Sequence, residues 1–83
     1  MLKINYFASV REQLGLSSES LDLPAGVRTA GDLADYLAQR GAAWQRLQSG
    51  ADVLIAVNQA VCSRDQALEA HDEIAFFPPM TGG

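Results

Sequence analysis

Acid–base, nucleophilic and metal chemistry each need particular side chains brought together, and this sequence supplies few of them. His71 is its only histidine and Cys62 its only cysteine. No zinc site of three or four His/Cys ligands can be built from such a set. His71 and Asp72 adjoin in the turn-like stretch Glu69-Ala70-His71-Asp72-Glu73. Adjacent turn residues rarely hold the geometry of a catalytic relay, so a solvated turn is expected there. The acid pairs Asp32/Asp35 and Asp72/Glu73 stand at a helix start and a turn, where capping and solvation account for them. No G-x-x-x-x-G-K-[ST] run occurs and Lys3 is the sole lysine, so the chain is not expected to hold ATP phosphates by itself. Cys62, in an apolar strand-like segment, reads as a small core residue.

The unusual chemistry lies at the C-terminal end, Phe76-Phe77-Pro78-Pro79-Met80-Thr81-Gly82-Gly83. Two prolines stiffen the exit from a strand. Two glycines then finish the run without side chains, which lets backbone pass through a narrow slot. Extended, the residues after Pro78 reach roughly 15–17 Å. Such a tail is suited to carrying a carboxylate into another protein's active site. Two terminal glycines arise by chance in roughly one chain in 200, so the pair is suggestive only in a matching fold.

The elements that would position this tail follow from periodicity. Leu2–Ala8 alternates and predicts a strand. Ser9-x-x-Glu12 has capping-box spacing, Val10–Leu14 reads as a short helix, and Gly15 suits its C-terminal stop. Ser17–Ser20 reads as a turn and Glu19–Leu23 as a strand ending at Pro24-Ala25-Gly26. Thr29 and Asp32 cap the main helix, whose Leu33, Tyr36, Leu37 and Arg40 follow helical spacing up to Gly41. Trp44 and Leu47 suggest one further helical turn. Val53–Val57, bounded by Asp52 and Asn58-Gln59, reads as a buried strand, and Ala60–Ser63 pairs back across that turn. Asn-Gln is a weaker hairpin signal than Asn-Gly. Asp65–Leu68 is a turn or a single helical turn, and Glu73–Phe77 is the last strand, stopped by Pro78-Pro79.

This order implies an α+β fold, a mixed sheet of about five strands on one main helix, with Leu2–Ala8 and Glu73–Phe77 as central neighbours. That is the β-grasp, or ubiquitin-like, arrangement over residues 1–77, with a flexible tail over 78–83. At 83 residues only one thin core is affordable, which disfavours a walled active site. A net charge of −4 with scattered arginines argues against nucleic acid. No stretch approaches the ~20 apolar residues of a membrane span, and Met1–Phe7 has no signal-peptide pattern. The cytoplasm is the expected compartment, and no metal is expected.

The ending, together with Tyr6-Phe7-Ala8-x-Val10-Arg11-Glu12, Ala56-Val57-Asn58-Gln59 and Asp72-Glu73-x-Ala75, resembles the family of molybdopterin synthase small subunits. These are the sulfur carriers of molybdenum cofactor biosynthesis. The resemblance implies that a ubiquitin-activating-type enzyme uses ATP to adenylate the Gly83 carboxylate, and that a persulfide donor converts it to a thiocarboxylate. It implies insertion of Pro78, Pro79, Met80, Thr81 and Gly82 into the synthase large subunit, in a heterotetramer with two of each chain. That subunit holds cyclic pyranopterin monophosphate, supplies the catalytic side chains, and completes the dithiolene of molybdopterin. The small chain binds no cofactor of its own. Phe7, Phe76 and Phe77 are interface candidates: alternation puts one of Phe76 and Phe77 in the core and leaves the other for an interface, with core for both nearly as open. Carriers for thiamine thiazole, ubiquitin-like modifiers, and an interaction module with an inert tail share this architecture.

Overall fold

Leu2, Ile4 and Tyr6 alternate with polar residues, and the alternation folds as strand β1 (Leu2–Tyr6) with those three side chains buried. The structure is a computed structural model that describes residues 1–48 and 53–79. β1 pairs antiparallel with β2 (Ser18–Leu21) and parallel with β5 (Glu73–Phe77). β5 also pairs antiparallel with β3 (Leu54–Val57), which turns back into β4 (Ala60–Cys62). The sheet order is β2-β1-β5-β3-β4. The expected central pair of first and last strands is present, with Ile4 beside Ile74 and Tyr6 beside Phe76.

Helix α1 (Ala8–Leu14) follows β1 directly, and α2 (Ala30–Ala38) buries Ala30, Leu33, Ala34, Leu37 and Ala38. These residues share one core with the inner face of the sheet, including Ile55, Val57, Ile74 and Phe76. Burying each large side chain stabilises by on the order of 1.5–3 kcal/mol before conformational entropy is counted. A 3-10 helix (Ala42–Gln48) supplies buried Leu47 and partly buried Trp44 to the same core, as their spacing suggested. The α+β β-grasp architecture is therefore the observed one. No helix among the described residues is long and apolar enough to cross a membrane.

Several local expectations are corrected. β1 stops at Tyr6 and not at Ala8, because Ala8 adopts a left-handed φ of 52° and opens α1. The helix N-cap is Phe7, with no side-chain cap. Ser9 is thus already inside the helix, and its hydroxyl accepts from Arg46 Nη2 at 3.0 Å instead of closing a box with Glu12. Ser18 and Ser20 belong to β2 and not to a turn, since pairing with β1 overrides their turn preference. β2 ends at Leu21 because its partner Leu2 is the first residue of β1. α2 ends at Ala38, so Arg40 lies beyond the helix, and Tyr36 is 43% exposed and off the buried stripe. The Thr29/Asp32 cap does form: Thr29 Oγ1 accepts from Asp32 N, and Asp32 Oδ2 from Thr29 N. Gly15 ends α1 at φ 70°, its N–H donating to Arg11 O at 2.9 Å. Asp52 lies outside the described residues.

Candidate functional site

Strand alternation sends Ile74 and Phe76 inward and leaves Glu73, Ala75 and Phe77 on the opposite face of β5. Asn5 of β1 and Phe7 just beyond it continue that outer face, as do Ala56 and Val61 from β3 and β4. No helix among the described residues lines this side. Here Phe7, Ala56, Val61, Ala75 and Phe77 line an open groove of about 470 Å³, with Asn5, Gln59 and Glu73 as its polar part. Phe7 is 47% exposed and Val61 67%. Exposed large apolar groups gathered in one depression mark an interaction surface more than scattered ones do.

Four hydrogen bonds hold the groove in shape. The Phe7 N–H donates to Phe76 O at 3.0 Å, so the β1–α1 junction fixes the end of β5. At the other end the Asn58-Gln59 turn joins β3 to β4 with both residues left-handed, φ 51° and 72°, as in the primed hairpin turns. Asn58 compensates for the missing glycine. Its Nδ2 donates to Asp72 Oδ1 at 3.0 Å and its Oδ1 accepts from Glu73 N at 3.0 Å, clamping the hairpin onto the start of β5. Asn5 Nδ2 donates to Glu73 Oε2 at 3.0 Å.

Behind the groove lies a cluster that no spacing in the sequence announced. The Tyr6 ring stacks on Phe76 at 5.9 Å and meets Trp44 edge-on at 5.6 Å. The Tyr6 hydroxyl donates to Glu19 Oε2 at 2.8 Å. Arg40 grips Glu19 with both guanidinium nitrogens, at 2.7 and 3.0 Å, and lies 4.6 Å over the Trp44 ring. Burial, and then the Glu19 anion, push the Tyr6 hydroxyl far above its ordinary range. Burial alone would raise the Glu19 carboxyl, but Arg40 and Tyr6 outweigh it and hold the pKa below its usual value. The four residues meet only through tertiary folding, since they come from β1, β2, the α2 exit and the 3-10 helix. Their effect is to seat Phe76 rigidly, one residue before the outward-facing Phe77.

Phe76 is fully buried, so of the three phenylalanine candidates it is core and only Phe7 and Phe77 reach the groove. Pro78, half-buried, and Pro79, exposed, follow β5 directly. Met80, Thr81, Gly82 and Gly83 lie outside the described residues. Cys62 is half-buried on β4, its Sγ 3.6 Å from Ile55 O, and burial pushes its thiol pKa up. A raised thiol pKa does not suit a nucleophile. His71 Nδ1 contacts the N-terminal amine at 3.1 Å, while Asp72 caps its turn by accepting from Glu69 N. The two form no relay. No group of three or more His, Cys, Asp or Glu among the described residues is placed to hold a metal.

Fold and groove together define a class of protein: a β-grasp chain with a bare apolar sheet face, whose last strand leads straight into its C-terminal residues. The chain belongs to the ThiS family, which it matches over residues 4–83. It is 37% identical over 83 residues to the molybdopterin synthase sulfur carrier subunit of Haemophilus influenzae, with the whole of both chains covered. The Escherichia coli subunit of the same name is also 37% identical over 83 residues, again with full coverage of both chains. A solved structure from Pyrococcus furiosus, assigned as molybdopterin converting factor subunit 1, matches with a TM-score of 0.75 at 32% identity. That match covers 95% of this chain and 97% of the other.

Proposed function

We propose that this chain is the sulfur-carrier subunit of a molybdopterin synthase and that its working atom is the terminal carboxyl of Gly83. The observation that carries this reading is the full-length identity to sulfur carrier subunits from two bacteria. The local geometry supports it, because the apolar groove lies on the very strand that leads to Pro78.

A carboxylate is a poor acyl donor, since its oxygen leaves badly. An adenylating enzyme of the ubiquitin-activating type solves this with ATP. The Gly83 carboxylate attacks the α-phosphorus, pyrophosphate leaves, and a mixed anhydride with AMP results. A persulfide sulfur then displaces AMP, and a thiol cleaves the acyl disulfide to release the thiocarboxylate. This anion is a soft nucleophile like a thiolate. The large subunit binds the outer sheet face, with Phe7 and Phe77 against it, and admits Pro78, Pro79, Met80, Thr81 and Gly82 into its channel. Gly82 keeps the approach free of side chains. The large subunit holds the pterin substrate and supplies the catalytic groups, and each sulfur delivered consumes one loaded carrier. The assembly contains two of each chain and works in the cytoplasm, where ATP and reduced thiols are both at hand.

Genetic complementation tests the pathway. This gene should restore molybdenum-cofactor synthesis to a strain lacking its own carrier, and a version lacking Gly83 should not. Rescue by the truncated version would overturn the assignment of Gly83. Rescue of a thiazole-deficient strain alone would reassign the pathway.

A further inference from the structure

We infer that Glu73 is the specificity-determining residue of the outer sheet face, and that it reads an arginine or lysine set beside an apolar side chain on the large subunit. The inference rests on the docking role just proposed for that face. Among the described residues Glu73 is the only charged one lining the groove, and it stands at the polar end away from the tail exit. The residue is half-buried and its carboxylate is held in place, with Oε2 accepting from Asn5 Nδ2 at 3.0 Å. Its other oxygen meets no donor among the described residues. Lys3, its register neighbour on β1, is exposed and forms no ion pair with it. A fixed carboxylate beside an apolar depression, with one oxygen unpartnered among the described residues, is incomplete by itself. A cation seated there would be shielded from water by the apolar contact around Ala75, Ala56 and Val61, where a charge pair counts for more than at an open rim. The same carboxylate would penalise any partner that placed an acid or a bare apolar group at that position.

The test is a calorimetric titration of the cognate large subunit with wild-type carrier, Glu73→Gln and Phe7→Ala, each at low and high salt. Glu73→Gln retains the bond from Asn5 through the amide oxygen, so the fold is preserved, and a matching thermal midpoint verifies this. Glu73→Gln should weaken binding about tenfold and flatten its salt dependence, the signature of a lost charge pair. Phe7→Ala should weaken binding while leaving the salt dependence intact. Wild-type affinity and salt slope in Glu73→Gln, with binding lost in Phe7→Ala, would overturn the role of Glu73 and leave the docking face standing. Wild-type affinity in both variants would overturn the docking face and the inference with it.

Discussion

Gly31→Ala is a substitution whose sign the sequence and the structure give oppositely. Gly31 is the second residue of α2, and in an ordinary exposed helix alanine would gain up to about 1 kcal/mol over glycine. Here the added Cβ would sit 2.9 Å from the Arg64 Cβ and 3.0 Å from its carbonyl oxygen. Neither atom is the free end of a flexible side chain, so the backbone of the segment after β4 must move. Overpacking of this kind costs roughly 1–3 kcal/mol. The Gly31 N–H donates to Arg64 O at 2.8 Å, and a shift of that segment puts this bond, about 1 kcal/mol, at risk. Set against the helix gain, the net destabilisation is roughly 1–3 kcal/mol. For a domain of this size the thermal midpoint should then fall by roughly 4–24 °C. Circular dichroism melting of the two proteins measures it. The double variant Gly31→Ala/Arg64→Ala retains the Cβ and the carbonyl, so most of the loss should persist. A Gly31→Ala midpoint equal to or above the wild type would refute the close-approach argument.

Two further outcomes follow from the elements around the groove. The Glu19 carboxyl is held below its ordinary value of 4.5, so its contribution is fully present above that pH and is lost as pH falls through the lower folded value. The stability gap between wild type and Glu19→Gln, followed by urea denaturation, should accordingly be widest at neutral pH and close on acidification below about 4.5. Asn58→Ala forces alanine to a left-handed φ and removes both clamps to Asp72 and Glu73, which should cost about 1–3 kcal/mol in urea unfolding. Asn58→Gly should recover the conformational part and not the rest.

What was legible in the sequence is what depends on nearest neighbours. Alternation placed β1 as far as Tyr6, and Pro78 marked the end of β5 because it cannot donate to a ladder. The Thr29/Asp32 cap and the Gly15 stop are likewise local, and both formed as expected. The Ser9/Glu12 box misled because equal spacing occurs wherever the helix happens to begin, and the left-handed Ala8 moved the start to Phe7. Asn58-Gln59 looked weak as a turn because its support comes from the Glu69–Asp72 loop, more than ten residues away along the chain. The Tyr6–Glu19–Arg40–Trp44 cluster and the Gly31–Arg64 contact left no trace in the pattern for the same reason. The groove lies between these cases. Phe7, Phe76 and Phe77 were all interface candidates and only the structure set buried Phe76 apart, whereas Glu73 looked like one solvated acid of a turn until Asn5 and the groove were seen around it.

The central claim concerns one atom, and mass spectrometry of the intact and fragmented protein addresses it most directly. The carrier is incubated with ATP, an activating enzyme of proven competence on another carrier, and a persulfide source. Exchange of oxygen for sulfur adds about 16 Da, and fragment masses locate it. Oxidation of Met1, Met80 or Cys62 has nearly the same nominal mass and is separated by accurate mass and by site. The account predicts an ATP-dependent sulfur on Gly83 and on no other residue. An unmodified Gly83 under conditions that load the control carrier would contradict it.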